Sequence, residues 1–262
     1  MAIYSSVLAG RSLNLSFRKS NQEAAVPNIV EHEKGESQAF VPALRYKWAT
    51  GIYDLVIEYF TRGRALRRLS VDAIAPAAGE AILDLGCGTG ELSLALAQTE
   101  PKSSITGYDI DPEILEIARN KMGLQGEVSA VTFREVNVTD AASFPQQDIG
   151  RFDCVASSLM FHHLTHDQKQ QALKSVQALL NPGGRFVLID WGPGANMFLR
   201  AAFWQVRLLD GLAVTLDNAR GNLPNMLEEA GFSQIDATPL LDTMFGTVWC
   251  YQGKLRSLYD SE

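Results

Sequence analysis

Ala81-Ile82-Leu83-Asp84-Leu85-Gly86-Cys87-Gly88-Thr89-Gly90-Glu91 is an apolar run of strand length that breaks into alternating glycines and then opens a helix. Glycine at 86, 88 and 90 permits left-handed backbone and removes the Cβ that would hold a ligand away, so a ligand is expected to lie against this turn. Turns of this kind serve dinucleotides, nucleotides and other nucleosides alike. Glu91 disfavours two of these. A dinucleotide fingerprint starting at Gly86 would need Gly or Ala at position 91, where the helix closes on the strand. A phosphate-cradling loop would need Gly-Lys-Ser/Thr at the start of the helix. The chain instead reads Thr89-Gly90-Glu91, with an anion where phosphate would be repelled.

Asp84 points to another ligand. A carboxylate at the end of the strand attracts the cationic amino-acid end of S-adenosylmethionine, directly or through water, although a turn cap is the plainer role. Asp84-x-Gly86-x-Gly88-x-Gly90 resembles the signature of class I S-adenosylmethionine-dependent methyltransferases. The resemblance implies that the loop lies beside the methionine part of the cofactor and that a second acid, at the end of the next strand, holds the ribose hydroxyls. Ser104-Ile105-Thr106-Gly107-Tyr108-Asp109 supplies that acid, followed by Ile110. The spacing of about twenty residues from the loop also occurs in dinucleotide binders. Asn137-Val138 then falls at the adenine position. Many members of the family carry Asp there; the Asn137 oxygen accepts the same bond, or the residue simply makes a turn. Val138 offers an apolar contact or a backbone donor, and Ser157, near the end of the fourth strand, is expected to face the cofactor.

The chain has 262 residues, a net charge of −7 and three widely spaced cysteines, Cys87, Cys154 and Cys250. That length suits one catalytic domain with extensions. The acidic balance disfavours a broad phosphate-binding surface, so nucleic acid is not the expected partner. Isolated cysteines in core-like positions argue against a disulfide framework and for reducing conditions. No apolar run approaches the roughly twenty residues that span a bilayer, so the chain reads as soluble, without a transmembrane span. Arg11, Arg18 and Lys19 with several serines and no acid before Glu23 resemble a weak organelle-targeting peptide. A disordered extension is the alternative, and the cytoplasm is the default location.

Residues 1–41 are read as that extension and 42–75 as an N-terminal helical cap, with Trp48, Ile52, Leu55, Val56 and Tyr59 on one face. Tyr46, Trp48 and Tyr53 either line the acceptor pocket or belong to the core. The basic run 62–68 reads as a solvated helix end. Residues 76–252 form the expected catalytic domain, and 253–262 a tail. Within that domain strands and helices alternate. Asp111-Pro112-Glu113 starts one helix, Asn181-Pro182-Gly183-Gly184 stops another before a strand at 185–190, and two strands close the fold. An insertion at 192–224, carrying Met197, Phe198, Phe203, Trp204, Leu208 and Leu209, is too apolar for a solvated helix and is expected to cover the acceptor. The expected fold is α/β: a Rossmann-like, doubly wound seven-stranded sheet with its last strand antiparallel.

In such a sheet, ligands collect at the carboxyl ends of the strands where strand order reverses. Residues 157–163, Ser-Ser-Leu-Met-Phe-His-His, are expected there. They lack the Asn-Pro-Pro-Tyr type of run found in family members that methylate exocyclic amines or amides. His162 or His163 could act as general base, because an imidazole titrates near neutrality, or could simply bond to backbone at the start of a helix. His162 and His166 could share a helical face as metal ligands, but no nearby carboxylates complete a site, and no metal is expected. The run 157–164, the helix Arg207-Leu208-Leu209-Asp210 and the strand Phe245-Gly246-Thr247 resemble small-molecule methyltransferases related to those of quinone biosynthesis. The resemblance covers roughly residues 45–252. It implies transfer of the sulfonium methyl to oxygen or carbon of a small apolar or aromatic acceptor. A macromolecular methyltransferase and a non-catalytic S-adenosylmethionine-binding protein stand as alternatives.

Overall fold

A computed structural model describes residues 63–124 and 131–255. The first 62 residues, and with them Tyr46, Trp48, Tyr53 and most of the expected cap, lie outside the described residues, as do 125–130 and the end of the tail. Elements are numbered within the described chain.

The expected alternation is present. α1 (Gly63–Ile74) leads to β1 (Ala81–Leu85), α2 (Glu91–Thr99), β2 (Ser104–Asp109), α3 (Pro112–Leu124), β3 (Val131–Glu135) and β4 (Phe152–Ser158). The chain continues through α4 (His166–Leu179), β5 (Leu180–Trp191), α5 (Met197–Asp210), α6 (Leu216–Arg220), α7 (Leu223–Glu229), β6 (Phe232–Thr243) and β7 (Gly246–Leu255). The seven strands order as β3-β2-β1-β4-β5-β7-β6, all parallel through β5, with β7 antiparallel to both neighbours. Strand order reverses between β1 and β4, which pair directly, Leu83 against Val155.

Period-two alternation explains why both faces of this sheet are covered. Ile82, Cys154, Ala156, Val187 and Ile189 point to one side, where they pack with Leu66 and Ile74 of α1, Leu96 of α2, Leu115 of α3 and Phe203 of α5. Leu83, Leu85, Val155, Phe186 and Leu188 point to the other, against Leu173 and Val176 of α4 and Leu223 and Leu227 of α7. Both sides of each central strand are apolar, so the strands read as continuous runs.

Three expectations change. β5 begins at Leu180, five residues before the expected strand, because Leu180 pairs with Phe152 before Asn181-Pro182-Gly183-Gly184 bulges out and pairing resumes at Arg185 opposite Cys154. Gly183 takes a left-handed φ of 84° there, and Asn181 donates to Asp153 of β4. The closing strands, which the sequence places over 232–238 and 245–251, run longer and form a hairpin, with Pro239 tolerated because β6 is the edge of the sheet. In α5, only Phe203 and Val206 are buried; Met197, Phe198, Leu208 and Leu209 are 72–83% exposed. The helix therefore covers the sheet with one narrow stripe, where Phe203 meets the Trp191 ring at 5.8 Å, and turns the rest of its apolar surface outward. All three cysteines are free and buried. Among the described residues no helix is long and apolar enough to cross a membrane.

Candidate active site

The turn after β1 is built by backbone. Gly86 and Cys87 both donate to the Tyr108 carbonyl, at 2.8 and 2.9 Å, which ties the turn to the end of β2. Its glycines do different things. A Cβ on Gly86 would stand 2.5 Å from Met160 Cγ, whereas one on Gly88 would meet nothing within 4 Å. Gly86 is required by packing at a φ of 75°, while Gly88, at 52°, keeps its surface open for a ligand. Gly90 resembles Gly86, with Phe133 2.7 Å from its missing Cβ.

Beside the turn lies a cleft of about 190 Å³, lined by Asp84, Gly86, Thr89 and Leu159, with Leu66 and Arg67 of α1 closing its other side. Asp84 is 1% exposed and accepts from the Ser93 hydroxyl of α2 at 2.6 Å. Burial, together with the Asp109 charge, pushes its carboxyl up to about 6 in spite of the Ser93 hydrogen bond. The cleft thus presents a confined carboxylate that a cation would relieve. Glu91, whose place rejects phosphate, is held by Arg67 at 3.0 Å and Lys121 at 2.7 Å, which stitches α1, α2 and α3 together. Arg67 is therefore a structural partner and not part of a merely solvated helix end.

Asp109 stands on the far side of the loop. It accepts from Gly88 N–H at 2.9 Å and Asp111 N–H at 3.0 Å, is half-buried, and has its carboxyl raised by that burial. Ile110 beside it is also half-buried. Asn137 follows the turn reading: its Oδ1 accepts from both the N–H and the hydroxyl of Thr139, at 3.0 and 2.8 Å, so the oxygen expected to meet adenine is committed within its own turn. Val138 is buried with Tyr108 and Phe144, which leaves its backbone as the part able to meet a ligand. Ser157 departs from expectation. Its side chain is wholly buried and donates to the Leu85 carbonyl at 2.8 Å, fastening β4 to β1 behind the cleft. Its neighbour Leu159 lines the cleft instead, held at a φ of 53° by a bond from its N–H to the Ile189 carbonyl. No local signal in the sequence marks this, since leucine rarely takes a left-handed conformation.

The two histidines fall in a single 3-10 turn, Phe161–His163, at the carboxyl end of β4. Asp190, at the end of β5 and fully buried, accepts from the His162 backbone at 3.1 Å, and its other oxygen lies 2.8 Å from His162 Nδ1. Because a carboxylate only accepts, Nδ1 carries the proton. His162 Nε2 faces Asp210 of α5 at 3.7 Å. Burial works against charge on the His162 ring, but Asp190, supported by Asp210, outweighs it and raises the pKa above 6.5. The His163 ring lies tilted against that ring by 42° at 4.0 Å between centroids, and burial with the neighbouring imidazole pushes it down to about 3. His166 instead opens α4, with Nδ1 3.2 Å from Asp217, and shares no face with His162. The expectation that no carboxylates approach the histidines is thus corrected: Asp190 and Asp210, 28 and 48 residues along the chain, are brought there by the packing of β5 and α5.

The comparisons with known proteins follow the same lines. Residues 82–184 match the family described as methyltransferase domain. The chain is 26% identical over 246 residues to the ubiquinone/menaquinone biosynthesis C-methyltransferase UbiE of Methylococcus capsulatus, covering 86% of this chain and 94% of that one. It is 36% identical over 143 residues to the demethylmenaquinone methyltransferase of Thermus thermophilus, covering 54% of this chain and 61% of that one. Among solved structures, an O-methyltransferase family protein from Burkholderia thailandensis superposes with a TM-score of 0.60 at 17% identity, over 74% of this chain and 56% of that one, and so shares the fold.

Proposed function

Since the chain is a class I S-adenosylmethionine-dependent methyltransferase acting on a small molecule, we propose that its acceptor is a reduced, quinone-type aromatic ring methylated at carbon. The observation that carries this reading is the short stretch that joins two places. Leu159 lines the cleft beside Asp84 and Gly86, and three residues along the chain His162 stands against Asp190 and Asp210. Similarity to a C-methyltransferase across nearly its whole length supports the carbon reading.

S-adenosylmethionine supplies an electrophilic sulfonium methyl group. The residues present fit it: Asp84 offers a buried charge for the cationic amino-acid end, Gly88 an open surface, Asp109 a carboxylate for the ribose hydroxyls, and Ile110 and the Val138 backbone a border for the base. We assign the transferase body to residues 76–252 and the cap to 42–75, the part of it within α1 closing the cleft through Leu66 and Arg67. Alignment and exclusion of water do much of the work in such a transfer. A ring carbon becomes strongly nucleophilic when an adjacent hydroxyl loses its proton. His162 Nε2, the unprotonated nitrogen while Nδ1 is bonded to Asp190, takes that hydroxyl proton, and the imidazolium so formed, flanked by Asp190 and by Asp210 at 3.7 Å, faces the phenolate until the proton returns to the oxygen. His163, uncharged at neutral pH, lies against the His162 ring. The aromatic ring regains its unsaturation by releasing the proton of the methylated carbon, so one proton leaves per methyl transferred.

The test is incubation of the full chain with S-adenosylmethionine and a short-chain demethylated naphthoquinol or benzoquinol kept reduced. We expect a product one methyl heavier whose proton NMR signal is that of an aryl methyl. A methoxy signal would overturn the carbon assignment, and label appearing in protein or RNA of an extract in place of the quinol would overturn the acceptor class.

A further inference from the structure

The corner formed by the 3-10 turn and the end of α5 holds more ligating groups than a proton relay needs. Among the described residues, His162, His163 and Asp210 make the group in which two imidazoles and a carboxylate each offer an atom within 4.8 Å of the others. We propose that these three residues bind a divalent transition-metal cation, with Asp190 as the positioning residue that holds His162 in the metal-binding tautomer.

Four features argue for this. First, Asp190 occupies His162 Nδ1 and also accepts from the His162 backbone, so the ring is fixed with Nε2 turned toward the gap. A carboxylate behind the non-ligating nitrogen is the usual support of a metal-bound histidine. Second, Nε2 and the Asp210 carboxylate are 3.7 Å apart, too far for a hydrogen bond. Ligand atoms about 2.0–2.2 Å from a four-coordinate zinc stand roughly 3.3–3.5 Å from one another, so this pair already has nearly the required separation. A His163 ring nitrogen, the third atom, lies within 4.8 Å of both.

Third, the charges need a cation. Asp190 and Asp210 flank one imidazole, and the nearest ammonium, on Lys169, is taken up by the Leu164 and Val214 carbonyls and by Asp217 at 3.5 Å. Two carboxylates, two neutral imidazoles and a dication sum to zero. Fourth, the donor types suit zinc or another borderline divalent ion, and three protein ligands leave a position open. If an acceptor hydroxyl takes that position, the ion lowers its pKa; this use rests on the reaction proposed above, but binding of the ion does not.

The site is tested on the full chain stripped with chelator and free of cofactor and acceptor. Zinc titration calorimetry is expected to give one ion per chain at micromolar or tighter affinity, and cobalt(II) the visible absorption of a low-symmetry four-coordinate site. Asp210→Asn and His163→Ala, each checked by thermal melt to be folded, should weaken binding by about 100-fold or more, and Asp190→Asn by about 10–100-fold. Absence of binding would overturn the proposal, as would binding unchanged in the folded Asp210→Asn and His163→Ala variants. Stoichiometric binding without quinol methylation would leave the site standing and remove the acceptor reading. Methylation by a chain that binds no zinc would do the reverse.

Discussion

The glycine turn after β1 and the histidine corner at the ends of β4 and β5, which we propose to serve one reaction, are made in opposite ways. The turn is contiguous: eleven residues from Ala81 to Glu91 contain its strand, glycines and helix start. The corner is assembled from three segments, with Asp190 and Asp210 reaching His162 only through folding. Yet the two halves share an electrostatic property. Each confines carboxylate charge beside a cavity or gap, Asp84 in one and Asp190 with Asp210 in the other, so each is built to gain from an arriving cation. On the function proposed here, that negative charge is in place before the sulfonium and the acceptor hydroxyl arrive.

The largest expected effect breaks the assembled half. Asp190→Ala leaves the His162 ring and backbone N–H without their acceptor and should cost about 3–5 kcal/mol at pH 6, read from urea unfolding. The dependence on pH has a definite sign. Asp190 raises the folded pKa of His162, so the stabilisation is fully present below about 6.5 and is lost as pH rises through the raised value. The cost of Asp190→Ala should therefore be smaller at pH 9 than at pH 6, and an equal cost at both would remove the charged interaction from the account.

Breaking the contiguous half should cost somewhat less. Gly86→Ala forces a Cβ against Met160 at a left-handed φ, for about 2–4 kcal/mol of stability. The same change at Gly88 meets only the backbone strain. Equal losses at the two positions, by the same unfolding measurement, would show that packing does not distinguish them.

The smallest effect sharpens the comparison, because it has the opposite sign. Asp84 has a folded carboxyl raised from 3.8 to about 6, so its cost to the fold is absent below the unfolded value, grows as pH rises and is complete above about 6. Asp84→Asn should stabilise the cofactor-free chain at pH 7.5 by about 1–3 kcal/mol, with the gain vanishing near pH 4. It should also weaken S-adenosylmethionine binding in calorimetry. A variant that is no more stable at pH 7.5 would show that Asp84 is already relieved in the free protein.

Much of the site was legible where the chemistry is local. Glu91 told against two ligand classes by its place alone, and the structure sets Asp84 and Asp109 beside the turn that carries Gly86 and Gly88. Reading failed where side-chain direction mattered. Ser157 lies at the right level of β4, but its hydroxyl is bonded to the Leu85 carbonyl, and Ser158 with the left-handed Leu159 lines the cleft where it was expected. Asn137 has the right chemistry, yet its Thr139 neighbour claims the oxygen. The apolar composition of α5 suggested a covered helix, whereas composition counts residues without fixing which stripe meets the sheet.

By itself the sequence determined the α/β alternation, the glycine turn, the cofactor class and the position of the histidines, because each depends on residues a few places apart whose backbone preferences and periodicity act locally. Only the tertiary structure decided that His162 and His163 differ, the pKa of one raised by the Asp190 and Asp210 carboxylates and that of the other lowered by burial, and that Asp210 joins them. Electrostatic environment is a matter of distance through space. Here β5 and α5 close distances of 28 and 48 residues that spacing along the chain does not encode.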